Sequence, residues 1–191
     1  MTHHENVKIV AFVGLTGSGK SAAVDHVTKK GYPKVYFGGI LYQAMKEAGL
    51  TPGDWAVENP FREEIRRKEG NDFVVKRAVK QIQDLIAAGQ HRIVADGIYS
   101  WTEYKIMKHE FPGELDVIAI TTPRHLRYHR LTTRPDRPLT ESEAQTRDWA
   151  EIENIEKGGP IAMADHFIMN DGDIDDLHKK IDDLLQDSFY K

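Results

Sequence analysis

The residues that most constrain this chain are Gly14-Leu15-Thr16-Gly17-Ser18-Gly19-Lys20-Ser21, which satisfy G-x-x-x-x-G-K-[ST] at every fixed position. Glycines 14, 17 and 19 let the backbone turn without a Cβ and bring successive N–H groups close to an anion. The flanks suit that purpose. Val7 to Val13 is nearly all apolar and β-branched, as a strand buried on both faces must be. Ser21 to Lys30 reads as a helix that stops at Gly31, with Pro33 just beyond, and its positive end is aimed at the same point. A polyphosphate is therefore expected against Gly14, Thr16, Gly17, Ser18, Gly19, Lys20, Ser21 and Ala22. Lys20 would reach the outer phosphates and the Ser21 hydroxyl would hold the Mg²⁺ they carry.

A chain of 191 residues is enough for one full core, and no repeat, low-complexity tract or linker divides it. Its 26 basic and 30 acidic residues leave a net charge of −4, so there is no global field for nucleic acid. The absence of cysteine excludes a disulfide framework and thiol chemistry, and is compatible with a reducing compartment. The polar start Met1-Thr2-His3-His4-Glu5-Asn6 lacks the apolar core of a signal peptide, and no later stretch approaches a membrane span. A cytoplasmic protein with no membrane partner is expected. Nothing in the sequence specifies a protein partner.

Along the chain, Lys34-Val35-Tyr36-Phe37 is a short strand that ends in Gly38-Gly39, and Ile40 to Ala48 is a helix stopped by Gly49. Thr51-Pro52-Gly53-Asp54 is turn-like, and the charged run Asn59 to Gly70 reads as helical, a flap beside the sheet spanning about residues 40–70. Phe73, Val74, Ala78, Ile82, Leu85 and Ile86 recur at helical spacing before Gly89. Arg92 to Ala95 is a third strand with Asp96-Gly97 at its carboxyl end, and Glu114 to Thr121 a fourth, with a helix around Glu103 to Glu110 between them. Pro123 opens an arginine-rich helix from Arg124 to about Thr133, which Arg134-Pro135-Asp136-Arg137-Pro138 breaks before a further helix, Thr140 to Lys157. His166 to Met169 is the fifth strand, and Ile174, Leu177, Ile181, Leu184 and Leu185 form one stripe of a closing helix. Strands alternating with helices predict an α/β fold with a five-stranded parallel sheet and helices on both faces, its ligands lying beyond the carboxyl ends of the strands.

Asp96 should emerge beside the glycine loop if the third strand neighbours the first. A carboxylate there can hold Mg²⁺ or orient an attacking hydroxyl, although an Asp-Gly pair also makes an ordinary turn. Arg124, Arg127, Arg130, Arg134 and Arg137 are the densest arginine series, and guanidinium groups closing over a moving phosphoryl group stabilise its charge. Arg130 and Arg134 flank the proline break, the natural hinge of a lid over about residues 124–147, while at least two of the series are expected to be a solvated face. Arg147, beside Asp148, is either a weaker member of the set or an exposed arginine paired to an acidic neighbour. The nine histidines make no metal signature, and His125 and His129 read as a solvated face. Trp101 beside Tyr99 is a candidate substrate contact, or simply packed.

With these residues in order, the chain resembles the adenylate kinase and nucleotide kinase superfamily, and more closely the adenylate-kinase-related proteins near dephospho-CoA kinase. The likeness rests on the loop Gly14 to Ser21, Ala95-Asp96-Gly97-Ile98, the arginines at 130 and 134, and Gly159 to Asp165 leading into the last strand. It implies a three-layer P-loop NTPase fold with a lid and an acceptor-binding flap, ATP and Mg²⁺ as cofactors, and Asn170 to Asp173 near the adenine.

The departures concern the acceptor. Adenylate kinases follow the second strand with Gly-Asp and an arginine three residues after that Asp, and place another arginine soon after the later Asp-Gly. This chain has Gly38-Gly39, Tyr42 and Tyr99 in those places, so Gly38, Tyr42, Arg66 and Tyr99 are the candidate acceptor contacts. Dephospho-CoA kinases carry an Asp just after the second strand, where this chain has Phe37-Gly38-Gly39. Arg62, Arg66, Arg67 and Arg77 are the cations available to compensate. The expected activity is transfer of the γ-phosphoryl group of ATP to a small nucleotide-like acceptor, with Lys20, Asp96, Arg130 and Arg134 as catalytic residues. A nucleotide-dependent switch without metabolite kinase activity is the alternative. Asn170-Asp171-Gly172 does not make the Asn-Lys-x-Asp signature of a GTPase.

Overall fold

The apolar run ahead of the glycine loop forms β1 (Lys8–Val13), the central strand of the sheet. The computed structural model describes residues 6–53 and 55–190. With β2 (Lys34–Tyr36), β3 (Arg92–Asp96), β4 (Leu115–Thr121) and β5 (His166–Met169), β1 builds a five-stranded sheet of order β2-β3-β1-β4-β5. All four pairings are parallel. β3 does neighbour β1, and the register sets Asp96 opposite Phe12, just short of Gly14.

Side chains alternate across the sheet, and each set is covered by helices. On one face Val10, Phe12, Ile118 and Ile168 pack against Ala23, Val24 and Val27 of α1 (Lys20–Thr28) and Leu177, Ile181 and Leu185 of the last helix, α9 (Ile174–Leu185). On the other, Ile9, Ala11, Val13, Ile93 and Val117 meet apolar residues of α2 (Phe37–Glu47), α3 (Trp55–Glu69), α4 (Phe73–Ala87) and α5 (Trp101–Glu110). Burying an aliphatic side chain of this kind contributes about 1.5–3 kcal/mol, which is why the core strands read as unbroken apolar runs.

The sequence reading needs correction at two elements. Gly38-Gly39 is not a loop: α2 begins at Phe37 and contains both glycines. Phe37, Ile40, Leu41, Ala44 and Met45 form its buried stripe, and that stripe outweighs the weak helix propensity of glycine. The two glycines make room for the Tyr36 ring. A Cβ at Gly38 would lie 2.5 Å from Tyr36 Oη, and one at Gly39 2.8 Å from its Cδ1. The stretch leading into β5 also contains a short helix, α8 (Gly158–Ala162), between α7 (Glu141–Ile155) and β5. The arginine-rich helix, α6 (Arg124–Thr133), has the predicted bounds.

Candidate nucleotide and acceptor site

The glycine loop joins β1 to α1 at the carboxyl edge of the sheet. Gly17 and Gly19 have φ of +83° and +95°, a region that side chains strain to enter. Space is closed there as well: a Cβ at Gly17 would lie 3.0 Å from the Arg127 carbonyl, and one at Gly19 would collide with Asn170 Nδ2. The loop is held from three sides. Asn170 Nδ2 donates to Ser18 O at 2.8 Å, Thr122 Oγ1 lies 3.0 Å from the same carbonyl, and Arg127 Nη1 donates to Thr16 O at 3.0 Å. Ser18 is buried, and its Oγ has no hydrogen-bond partner among the described residues. Such an orphan in a cradle of left-handed glycines, next to Lys20 and the exposed Ser21 hydroxyl, fits a site for an anion and its cation.

Lys20 Nζ donates to Asp96 Oδ1, and Lys34 Nζ lies 3.8 Å from Asp96 Oδ2. Three phenols gather around this pair. Lys20 Nζ stands 5.7 Å from the centre of the Tyr99 ring, and the Tyr36 and Tyr42 rings meet edge-on at 6.4 Å. Burial, then the neighbouring Tyr42 and the Asp96 carboxylate, hold the Tyr36 hydroxyl above its ordinary pKa. Burial, then Tyr36 and Asp96, hold Tyr99 well above. Both phenols therefore stay neutral and can donate hydrogen bonds. The Tyr99 ring lies so close over Gly97 that a Cβ there would sit 2.5 Å from Tyr99 Cζ.

The compensating cations separate. Arg62 Nη2 donates to Glu58 at 3.3 Å and its charge reaches Tyr36, whereas Arg66 pairs with Glu63 at 3.7 Å and its charge reaches Glu103. Arg67 is exposed, and Arg77 is tied to Glu47 and Glu69, each at 3.5 Å. Glu103 forms a capping box with Ser100 at the start of α5 and accepts from the Tyr99 amide at 2.6 Å. Burial raises its carboxyl to about 7, against the lowering effect of those amides.

The arginine series divides in a way its spacing does not reveal. Arg124 and Arg137 are exposed, as at least two were expected to be, and so are His125 and His129. Arg127 is buried and grips Asp148 through both Nη atoms, at 2.9 and 2.7 Å, which clamps α7 to the loop. Arg130 donates to the carbonyls of Asn170 at 3.2 Å and Gly172 at 3.4 Å, in the segment that the family resemblance implies for the adenine. Half-buried Arg134 donates to Arg137 O at 2.7 Å, and burial together with the Arg147 charge lowers its pKa. Arg147 does pair with an acid, but with Glu151 at 3.2 Å instead of adjacent Asp148. Trp101 stacks on Tyr104 at 5.1 Å and covers Gly159, a packing role. The structure thus brings together the loop, Lys20, Asp96, Tyr36, Tyr42 and Tyr99, sets Arg130 against Asn170, which itself holds the loop, and leaves Arg134 on the Arg137 carbonyl.

Three supporting groups escape a sequence reading, Thr122, Glu151 and buried Lys157, and Asn170, expected near the adenine, also braces the glycine loop through Ser18 O. Glu103 had a legible signal, the Ser-x-x-Glu box at 100–103.

A family profile described as an AAA domain matches residues 10–150. A UPF0200 protein of Thermococcus gammatolerans is 35% identical over 183 residues, 93% of this chain and 94% of that protein. The chain belongs to the UPF0200 family. A further UPF0200 relative, from Sulfurisphaera tokodaii, is 33% identical over 94% of this chain and 97% of its own length. Among solved structures, shikimate kinase from Acinetobacter baumannii in complex with shikimate superposes with a TM-score of 0.57 at 20% identity, over 98% of this chain and 97% of that one. Dephospho-CoA kinase from Campylobacter jejuni gives 0.55 at 16%, over 95% and 97%. At such identities the likeness is one of fold: this UPF0200 chain has the P-loop kinase fold. Among its described residues no helix is long and apolar enough to cross a membrane.

Proposed function

We propose that the protein transfers the γ-phosphoryl group of ATP to a hydroxyl or phosphate of a small nucleotide-like acceptor. The observation that carries this reading is the meeting of Lys20, from the glycine loop, with Asp96, from the end of β3. A phosphate-binding ammonium and a carboxylate able to orient an acceptor hydroxyl and take its proton share one point, and nearby phenols can bind the rest of that acceptor. Ser21 and Asp96 are the groups that would hold Mg²⁺, which when bound supplies charge neutralisation on the phosphates. Loop amides position the donor, and Lys20 with Arg130 and Arg134 stabilises the charge that develops on the transferred group. In this reading residues at about 124–147 close as a lid and those at about 40–70 receive the acceptor. The acceptor is a small molecule, with no role for nucleic acid or a membrane.

A second reading, a nucleotide-dependent switch, draws on the acceptor side: Tyr42 and Tyr99 stand where the adenylate kinase pattern has arginines, and Tyr99 packs down on Gly97. Incubation with Mg-ATP and a panel of dephospho-CoA, AMP, CMP, UMP and simple sugars or alcohols, read by acceptor mass, separates the two. One acceptor phosphorylated well above the hydrolysis background supports the kinase. ATP binding without any labelled acceptor favours the switch.

A further inference from the structure

Lys157, immediately ahead of α8, is 4% exposed, and its ammonium donates to Glu151 Oε2 at 2.7 Å. The other oxygen of Glu151 accepts from Thr16 Oγ1 in the glycine loop at 3.0 Å and from Arg147 Nε at 3.2 Å. Lys157 Nζ stands 5.3 Å from the centre of the Tyr99 ring, the same ring that Lys20 Nζ approaches at 5.7 Å. Its surroundings therefore join the phosphate loop to the acceptor wall. A buried ion pair is a poor stabilising device, because apolar side chains of like volume serve at least as well. Burial pulls the Lys157 ammonium below its ordinary pKa although Glu151 pushes the other way. Glu151 is held below the usual carboxylate range by Lys157, Arg147 and Thr16 in spite of its own burial. One carboxylate at the rim of the loop thus neutralises two cations, in the way an incoming phosphate oxygen would.

We propose that Lys157 is a second ammonium for the terminal phosphate of the donor, held in register by Glu151 until that phosphate replaces the carboxylate. This rests on the phosphotransfer reading and adds a residue to it. Titrations of ATP and of ADP into the wild type, Glu151→Gln and the double variant Glu151→Gln with Lys157→Met test it, with thermal unfolding as the check on folding. Expected is ATP binding at least as tight in Glu151→Gln as in the wild type. The double variant should then lose about tenfold or more for ATP, the scale of a hydrogen bond to a charged group, while ADP binding stays unchanged. Equal losses for ATP and ADP, or no difference between the single and double variants, overturn the proposal. The wild type supplies a test free of substitutions: the Lys157 side-chain ¹⁵N resonance should move with ATP and stay with ADP, and no movement with either overturns the proposal. If the wild type phosphorylates an acceptor yet shows either negative result, Lys157 alone falls. If it binds neither nucleotide, the phosphotransfer reading falls as well.

Discussion

Removing the Lys20 ammonium tests the phosphate site most directly, because it takes away the loop's own cation and leaves Asp96 facing Lys34 at 3.8 Å. Lys20→Ala should weaken ATP binding by about tenfold or more, measured by calorimetry, since a charge-assisted hydrogen bond is worth about 1.5–3 kcal/mol. Arg134→Ala separates the two functional readings. It should cut phosphoryl transfer by about 10²–10³ while leaving ATP binding near the wild-type value, as expected of a donor used mainly in the transition state. A switch would show no such split. Glu103 makes a prediction in pH: its carboxyl ordinarily titrates at 4.5 and in the fold at about 7, raised by burial. Between those values the native state keeps a proton that the unfolded chain has lost, so stability falls as pH rises from 4.5 to about 7 and levels off above. The full difference converts to about 3 kcal/mol. Glu103→Gln, which keeps an acceptor for the Tyr99 and Ser100 amides, should remove that slope, so that its melting temperature gains on the wild type between pH 5 and pH 8.

Helix α7 is coupled to the loop although it lies far from it in sequence. Its start is fixed locally, by a capping box between Thr140 and Glu143. Its position is fixed at a distance, by Arg127 and Asp148 below the loop and by the bond from Thr16 to Glu151. Asp148→Ala should therefore act beyond its own helix. It leaves a buried guanidinium without its carboxylate, at a cost of about 3–5 kcal/mol in denaturant unfolding, and loosens the arginine that supports Thr16 O. ATP binding should weaken with it. The Gly38-Gly39 pair shows how element boundaries escape local reading. Two glycines after a strand announce a turn, yet here they lie inside α2, because the buried stripe from Phe37 to Met45 carries the helix through them while the Tyr36 ring fills the space a Cβ would need.

For the whole molecule, the proposed lid makes a prediction that no single contact does. Residues 134–140 join α6 to α7 as an exposed connection around Arg134, and closure over a donor would slow amide hydrogen exchange there. Exchange measured with and without a non-hydrolysable ATP analogue should show protection of 134–140 and of the glycine loop together. Protection of the loop alone would remove the lid from the mechanism. The sequence by itself determined the strand, the glycine loop and the helix that follows, because each depends on neighbours a few residues away: apolar β-branched side chains, glycines at fixed offsets, and a lysine and serine to meet phosphate. The same local periodicity marked all five strands, and the strand-to-helix alternation implied a parallel sheet. Tertiary structure alone decided which charged and polar groups meet. Lys20 and Asp96 are separated by 76 positions, Arg127 and Asp148 by 21, and Thr16 and Glu151 by 135. The strength of each pairing is set by distance and burial, and these follow from strand order and helix packing, which no local pattern encodes.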